Sequence, residues 1–249
     1  MNKIQTQYLN RLLRVPKTTP KCALIKENEL MKIEHIANQR KLEYNIDLNN
    51  REEWRLEVKA RKIQEEKKLK YYNEIEELKV FYNIKENLNE VDPKTAKNII
   101  KKAVLRKNEE EVNEAIKNGK KTENIKSDKE NYINKLKFED ARILFMAKAG
   151  MLDLRANYKN KYKDGLECKT CVGKVENTQH IFECPAYEEV YKKLKGTNSL
   201  SEIMKRNRPE EVADSIKEIM KLREEKESQQ MKHITAPQSS GSSQLDSRV

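Results

Sequence analysis

The sequence predicts a mainly α protein: long helices in a loosely packed region, then a small cysteine-rich knuckle, short C-terminal helices and a disordered tail. Three observations predict it. Charged residues make up 37% of the 249 residues and hydrophobic ones 36%, so little apolar surface is available per residue and thin cores with solvated helices are expected. Only 6 Gly and 6 Pro are present, too few turn formers for a sandwich or barrel of many short strands. Along most of the chain the apolar residues recur at i, i+3 and i+4, the helical period.

Taken in order, residues 3 to 14 place Ile4, Tyr8, Leu9, Leu12 and Leu13 at helical spacing and then meet Pro16 and Pro20, so a first helix stops near Val15. A second stretch runs from about 24 to 44 with Leu30, Ile33, Ile36 and Ala37 on its apolar row, and the Asn- and Asp-rich residues 47 to 51 read as a connection. From 52 to about 82 comes the longest candidate, with Trp54, Val58, Ile75, Leu78 and Tyr82 as its apolar face. Its polar run from 61 to 70 is either a solvated rod or a break. Asp92 before Pro93 is an N-cap with proline at the first helical position, opening a helix through Ile100 and Val104 toward Ile116, with Gly119 as its stop. Residues 120 to 126 read as a loop. Ser127 and Glu130 have capping-box spacing ahead of Ile133, Leu136, Ile143, Leu144 and Ala147. After the cysteines, Ser199 with Glu202 and then Pro209 with Val212, Ala213, Ile216 and Ile219 open two more helices. The end of the chain, rich in Ser, Gln and Gly, has nothing to bury and is expected to stay disordered. The expected organisation is a helical region over 1–126, a basic helix plus knuckle over 127–195, C-terminal helices over 196–232 and a tail over 233–249.

No apolar run approaches the roughly 18 residues a membrane span needs, and the first residues lack the apolar stretch of a secretory signal. The expected location is nuclear or cytoplasmic, where thiols stay reduced and grouped cysteines more often hold metal than form disulfides. The net charge of +11 favours a polyanionic partner, although Lys-rich helices laced with Glu also describe a merely soluble helical protein.

Three of the four cysteines and one of the three histidines fall in one short window: Cys168, Cys171, His180 and Cys184. Two close pairs joined by a loop supply four tetrahedral ligands at little closure cost. The set predicts a structural zinc ion, since three thiolates and an imidazole leave no open coordination position. Gly173 stands where the turn after Cys171 needs a positive φ, and a helix over 179 to 190 would bring His180 and Cys184 to one face. Chance neighbours and a redox Cys-x2-Cys pair are the competing readings. Cys22 reads as a packed thiol, and His35 and His233 as surface residues, because the sequence sets no partner near them. The basic residues Arg142, Lys148, Arg155, Lys159, Lys161, Lys163, Lys169 and Lys174 outnumber Asp153, Asp164 and Glu167 nearby, with Tyr158 and Tyr162 among them. Interleaved cations and aromatic rings can neutralise phosphates and stack on unpaired bases; tyrosines packed on the knuckle with solvated lysines would look the same.

The run Ala141-Arg142-Ile143-Leu144-Phe145, the run from Met151 through Arg155 to Lys159, the Cys-x2-Cys pair, Glu176, Thr178, His180 and Cys184-Pro185 resemble the carboxy-terminal segment of non-LTR (LINE-type) retrotransposon polyproteins. Upstream, Leu12 to Pro16, Cys22 to Leu24 and Ile33 to Ile36 resemble the connector that follows the polymerase thumb in that family. The resemblance implies a helical connector leading into a CCHC knuckle. Two departures stand out. The family usually has four residues between the histidine and the last cysteine where this chain has three, and no Asp-Asp dipeptide occurs for a two-metal polymerase site. The expectation is therefore a non-catalytic, zinc-binding remnant that contacts RNA or single-stranded DNA. A helical protein-interaction or self-association module with a purely structural zinc is the alternative.

Overall fold

The computed structural model describes residues 2–119, 125, 132–171, 173–196 and 199–235. They form twelve α-helices and one 3-10 turn, and among the described residues no strand is present, only an isolated antiparallel bridge between Glu167 and Val175. The chain divides into two compact units, Met1–Met151 and Leu152–Val249, so the boundary falls after the helix expected to open the knuckle region, not before it.

The first unit holds α1 (Asn2–Leu12), α2 (Lys21–Glu27), α3 (Ile33–Asn49), α4 (Leu56–Glu66), α5 (Lys70–Phe81), α6 (Pro93–Lys117), α7 (Tyr132–Lys135) and α8 (Phe138–Lys148). A core of Leu42, Ile46, Ile75, Tyr82, Leu88, Ala96, Ile100, Ala103 and Val104 joins α3, α5 and α6. The Asp92 side chain accepts from the backbone N–H groups of Lys94 and Thr95, so the N-cap expected before Pro93 is formed, and α6 ends two residues before Gly119. His35, expected at the surface, is buried with its Nδ1 2.8 Å from the Tyr82 hydroxyl and its Nε2 3.2 Å from Glu111. Its row on α3 faces α6, which only the packing discloses.

Three expected helices are divided. The stretch from 24 to 44 breaks into α2 and α3, the stretch from 52 to 82 into α4 and α5, and the helix expected through Ile133 to Ala147 into α7 and α8. The first two breaks share one device. Glu29 has φ 52° and Lys68 φ 46°, and each is followed by an apolar residue whose N–H reaches five residues back, Leu30 to Ile25 and Leu69 to Gln64. This is the Schellman arrangement, usually built on glycine. Arg14 before Val15 and Asn83 before Ile84 end α1 and α5 in the same way. A chain so poor in glycine closes four helices on charged or amide residues at positive φ, so glycine could not mark these ends. Buried Asn108 of α6 then accepts from the Lys32 N–H and donates to the Leu30 carbonyl, fixing the connection between α2 and α3. Trp54, expected on an apolar helix face, lies before α4 and is largely exposed. The proposed Ser127–Glu130 capping box lies outside the described residues.

The second unit holds α9 (Thr178–Ile181), the 3-10 turn Pro185–Tyr187, α10 (Glu188–Tyr191), α11 (Leu200–Arg206) and α12 (Pro209–Thr235). α10 and α11 both pack on α12, which buries Val212, Ala213, Ile216 and Ile219. Ser199 precedes α11 without a side-chain cap bond. α12 runs three residues into the expected tail, and the rest of that tail lies outside the described residues. Among the described residues no helix is long and apolar enough to cross a membrane.

Candidate metal centre

A narrow turn and a one-turn helix build the site. The backbone doubles back between Leu166 and Glu176: the Cys168 N–H donates to the Lys174 carbonyl and the Glu176 N–H to the Leu166 carbonyl, both at 2.9 Å. Gly173, inside that turn, has φ +83° with nothing within 4 Å of where a Cβ would sit, so the turn requires its backbone freedom and not its small volume. Asn177 then caps α9, its side-chain oxygen accepting from the His180 N–H at 2.8 Å. Pro185 opens the following 3-10 turn. The single helix expected over 179 to 190 is thus three short turns, and His180 and Cys184 converge through the break between them.

Cys168, His180 and Cys184 are all buried, and their ligand atoms lie within 4.8 Å of one another. The two sulfurs are 3.9 Å apart, and all four cysteines are free thiols. Neither ring nitrogen of His180 has a hydrogen-bond partner, although both are buried. An imidazole is rarely buried with both nitrogens idle, and a cation between ring and sulfurs would satisfy one of them. Burial pushes the His180 pKa down, with Lys174 adding to it, which keeps the ring neutral as a ligand must be. Burial pushes the Cys184 thiol up, so the protein alone does not stabilise a thiolate there. Cys171 is the departure from expectation. It is half-buried and outside the group of three, and Thr170 stands on the sulfur side instead, its hydroxyl 3.0 Å from Cys168 and 3.5 Å from Cys184.

The basic residues sort into two kinds. Lys148 and Arg155 are internal, which removes them from any phosphate-facing surface. The Lys148 ammonium is 3.0 Å from buried Glu27 and lies over the Tyr132 ring. Arg155 donates to Asp164 at 2.7 Å and to Glu227 at 2.8 Å. Long cations on the apolar faces of a thin core are buried where a carboxylate meets them, and the sequence does not show which carboxylate that is. Arg142, half-buried on α8, donates to the Arg14 carbonyl and lies 3.5 Å from Glu139. Tyr162 is also committed: the guanidinium groups of Arg155 and Arg223 and the Lys161 ammonium lie over its ring, and its hydroxyl donates to Asp153. Tyr158 is half-buried. Lys159, Lys161, Lys163, Lys169 and Lys174 are exposed, Lys161 paired with Asp153 and Lys169 with Asp164.

Sequence reasoning missed the polar centre of this unit. Glu176, buried, accepts from Arg223 Nε at 2.9 Å and Nη2 at 2.8 Å, and from the Arg155 N–H at 3.1 Å. Arg223 also lies 3.2 Å from Glu227. Burial disfavours the Arg223 charge, and Glu176, together with Tyr162 and Glu227, more than restores it. The network fastens the end of the cysteine turn to α12. Residue type was the signal in the sequence, but a carboxylate and an arginine 47 positions apart carry no spacing rule.

No protein-family model, curated protein or solved structure matches the chain.

Proposed function

We propose that the second unit is a zinc-stapled, non-catalytic module that binds RNA or single-stranded DNA. Buried His180, with two idle ring nitrogens beside two thiols, is the observation that carries the zinc. Soft sulfur with imidazole is a donor set that suits this ion. Cys168, His180 and Cys184 hold it, and Cys171, three residues along the same turn, is the fourth ligand. When bound, the ion supplies a cross-link and no chemistry toward a substrate. The chain's own residues then do the rest: the exposed lysines at 159, 161, 163, 169 and 174 face phosphates, and Tyr158 stacks on a base. Residues 141 to 185 resemble the end of non-LTR retrotransposon polyproteins, which supports an origin in such an element.

Titration of the zinc-loaded full chain with a labelled single-stranded RNA over a salt series tests the reading. Affinity falls steeply with salt, and replacing Lys159, Lys161 and Lys163 by Gln lowers the logarithmic slope by about 2, since each phosphate neutralised on a single strand is worth roughly 0.7. Absent binding at low salt, or a slope that the triple substitution leaves unchanged, contradicts it.

A further inference from the structure

Cys168 and Cys184 are 4% and 0% exposed, and their sulfurs are 3.9 Å apart. A metal ion is held by thiolates, so both thiol protons leave when it binds and two anions then stand side by side in a buried place. Buried anions need hydrogen-bond donors as well as a counter-ion, and metal ligands are ordinarily oriented by such partners. Each sulfur has one. The Ala186 N–H, in the 3-10 turn that Pro185 opens, hydrogen-bonds the Cys184 sulfur. The Thr170 hydroxyl lies 3.0 Å from the Cys168 sulfur and 3.5 Å from that of Cys184.

A threonine hydroxyl carries a single proton and can both donate and accept. Between two thiols its direction is open. Between two thiolates, which only accept, the proton must point at sulfur, and the shorter distance gives it to Cys168. The Tyr187 hydroxyl, on a side chain 2% exposed, also hydrogen-bonds Thr170. It does not claim the Thr170 proton, because a charged acceptor makes the stronger bond. Nor is the hydroxyl a good ligand in its own right: sulfur and imidazole donors suit a softer ion than a neutral alcohol oxygen does, and Cys171, the next residue, offers a third sulfur.

We propose, on the zinc reading above, that Thr170 is a positioning residue of the metal centre: its hydroxyl donates to the Cys168 thiolate and is not itself a ligand. That bond draws electron density from the sulfur and holds the cysteine turn in its ligating shape. The turn thus carries a ligand and, two residues on, the donor that serves it.

Cobalt(II) loading of the full chain tests this. The sulfur-to-cobalt charge-transfer band reads electron density at sulfur, while the ligand-field bands read ligand number and geometry. In Thr170→Val the charge-transfer band moves to longer wavelength with the ligand-field bands in place, and zinc affinity, measured by competition with a chelator, falls about tenfold to hundredfold, as for other partners of metal ligands. Thr170→Ala repeats this, so the result does not hang on one variant that might fold poorly, and Thr170→Ser, which keeps the hydroxyl, restores both readings. A charge-transfer band that stays in place in Thr170→Val and Thr170→Ala, or one that shifts as far in Thr170→Ser, overturns the proposal and leaves the metal centre standing. Loss of the tetrahedral ligand-field bands in Thr170→Val overturns it too, since the hydroxyl would then be a ligand. A native chain that takes up no cobalt removes the zinc reading and the proposal with it.

Discussion

Replacing Glu176 by Ala should unfasten the cysteine turn from α12. The side chain is almost fully buried and accepts two hydrogen bonds from the Arg223 guanidinium and one from the Arg155 backbone. Removing one partner of a buried ion pair costs about 3–5 kcal/mol, because the other charge is left without compensation. Glu227 remains 3.2 Å from Arg223 and 2.8 Å from Arg155, which places the loss at the lower end, about 3 kcal/mol. Hydrogen exchange reads this separately in the two units. At a tenfold change per 1.4 kcal/mol, amides of 209–229 should lose roughly 100-fold in protection, while α3 and α6 serve as the unchanged control. Glu176→Leu combined with Arg223→Met should recover most of the loss, since well-packed apolar groups substitute for a buried pair. A change below about fivefold in Glu176→Ala, roughly 1 kcal/mol, would refute the claim that this network holds the unit together.

The same logic applies to the first unit, where Lys148→Met leaves buried Glu27 without its ammonium; urea denaturation should show a loss of about 3 kcal/mol that Glu27→Leu in the same chain largely reverses, and equal losses in the single and double variants would count against it. In acid, Asp164 is the group to follow. Hydrogen bonds from Lys169 and then Arg155 lower its carboxyl to about 2, so its contribution to folding is present above the unfolded carboxylate range near 4, and is lost as pH falls through about 2. Carboxyl-carbon NMR should place the midpoint near 2, and Lys169→Met should move it up. An unshifted midpoint would contradict the ion pairs around Arg155.

Helix content and the α6 cap were legible because periodicity and the Asp-Pro pair are local signals, satisfied within one turn of chain. The breaks at Glu29 and Lys68 were not, because both use a residue that ordinarily avoids positive φ, and each is secured by the apolar residue after it. In the candidate site, Cys168, His180 and Cys184 were found from spacing alone. Their convergence did not need the helix that the spacing implied: Asn177 and Pro185 bend the chain into short turns that reach the same point. Lys148 and Arg155 show the limit of reading a basic run as a surface. Their partners, Glu27 and Glu227, lie 121 and 72 positions away, and burial of a charge depends on where its counter-charge folds.

Metal content and coordination of the purified full chain bear most directly on the account. One zinc per chain is expected, with an absorption-edge spectrum of sulfur ligands and one imidazole nitrogen; His180→Ala and Cys184→Ala should abolish tight binding, and Cys171→Ala should weaken it. A chain that folds and retains its second unit with no bound metal, or one whose metal survives the loss of His180, would contradict it.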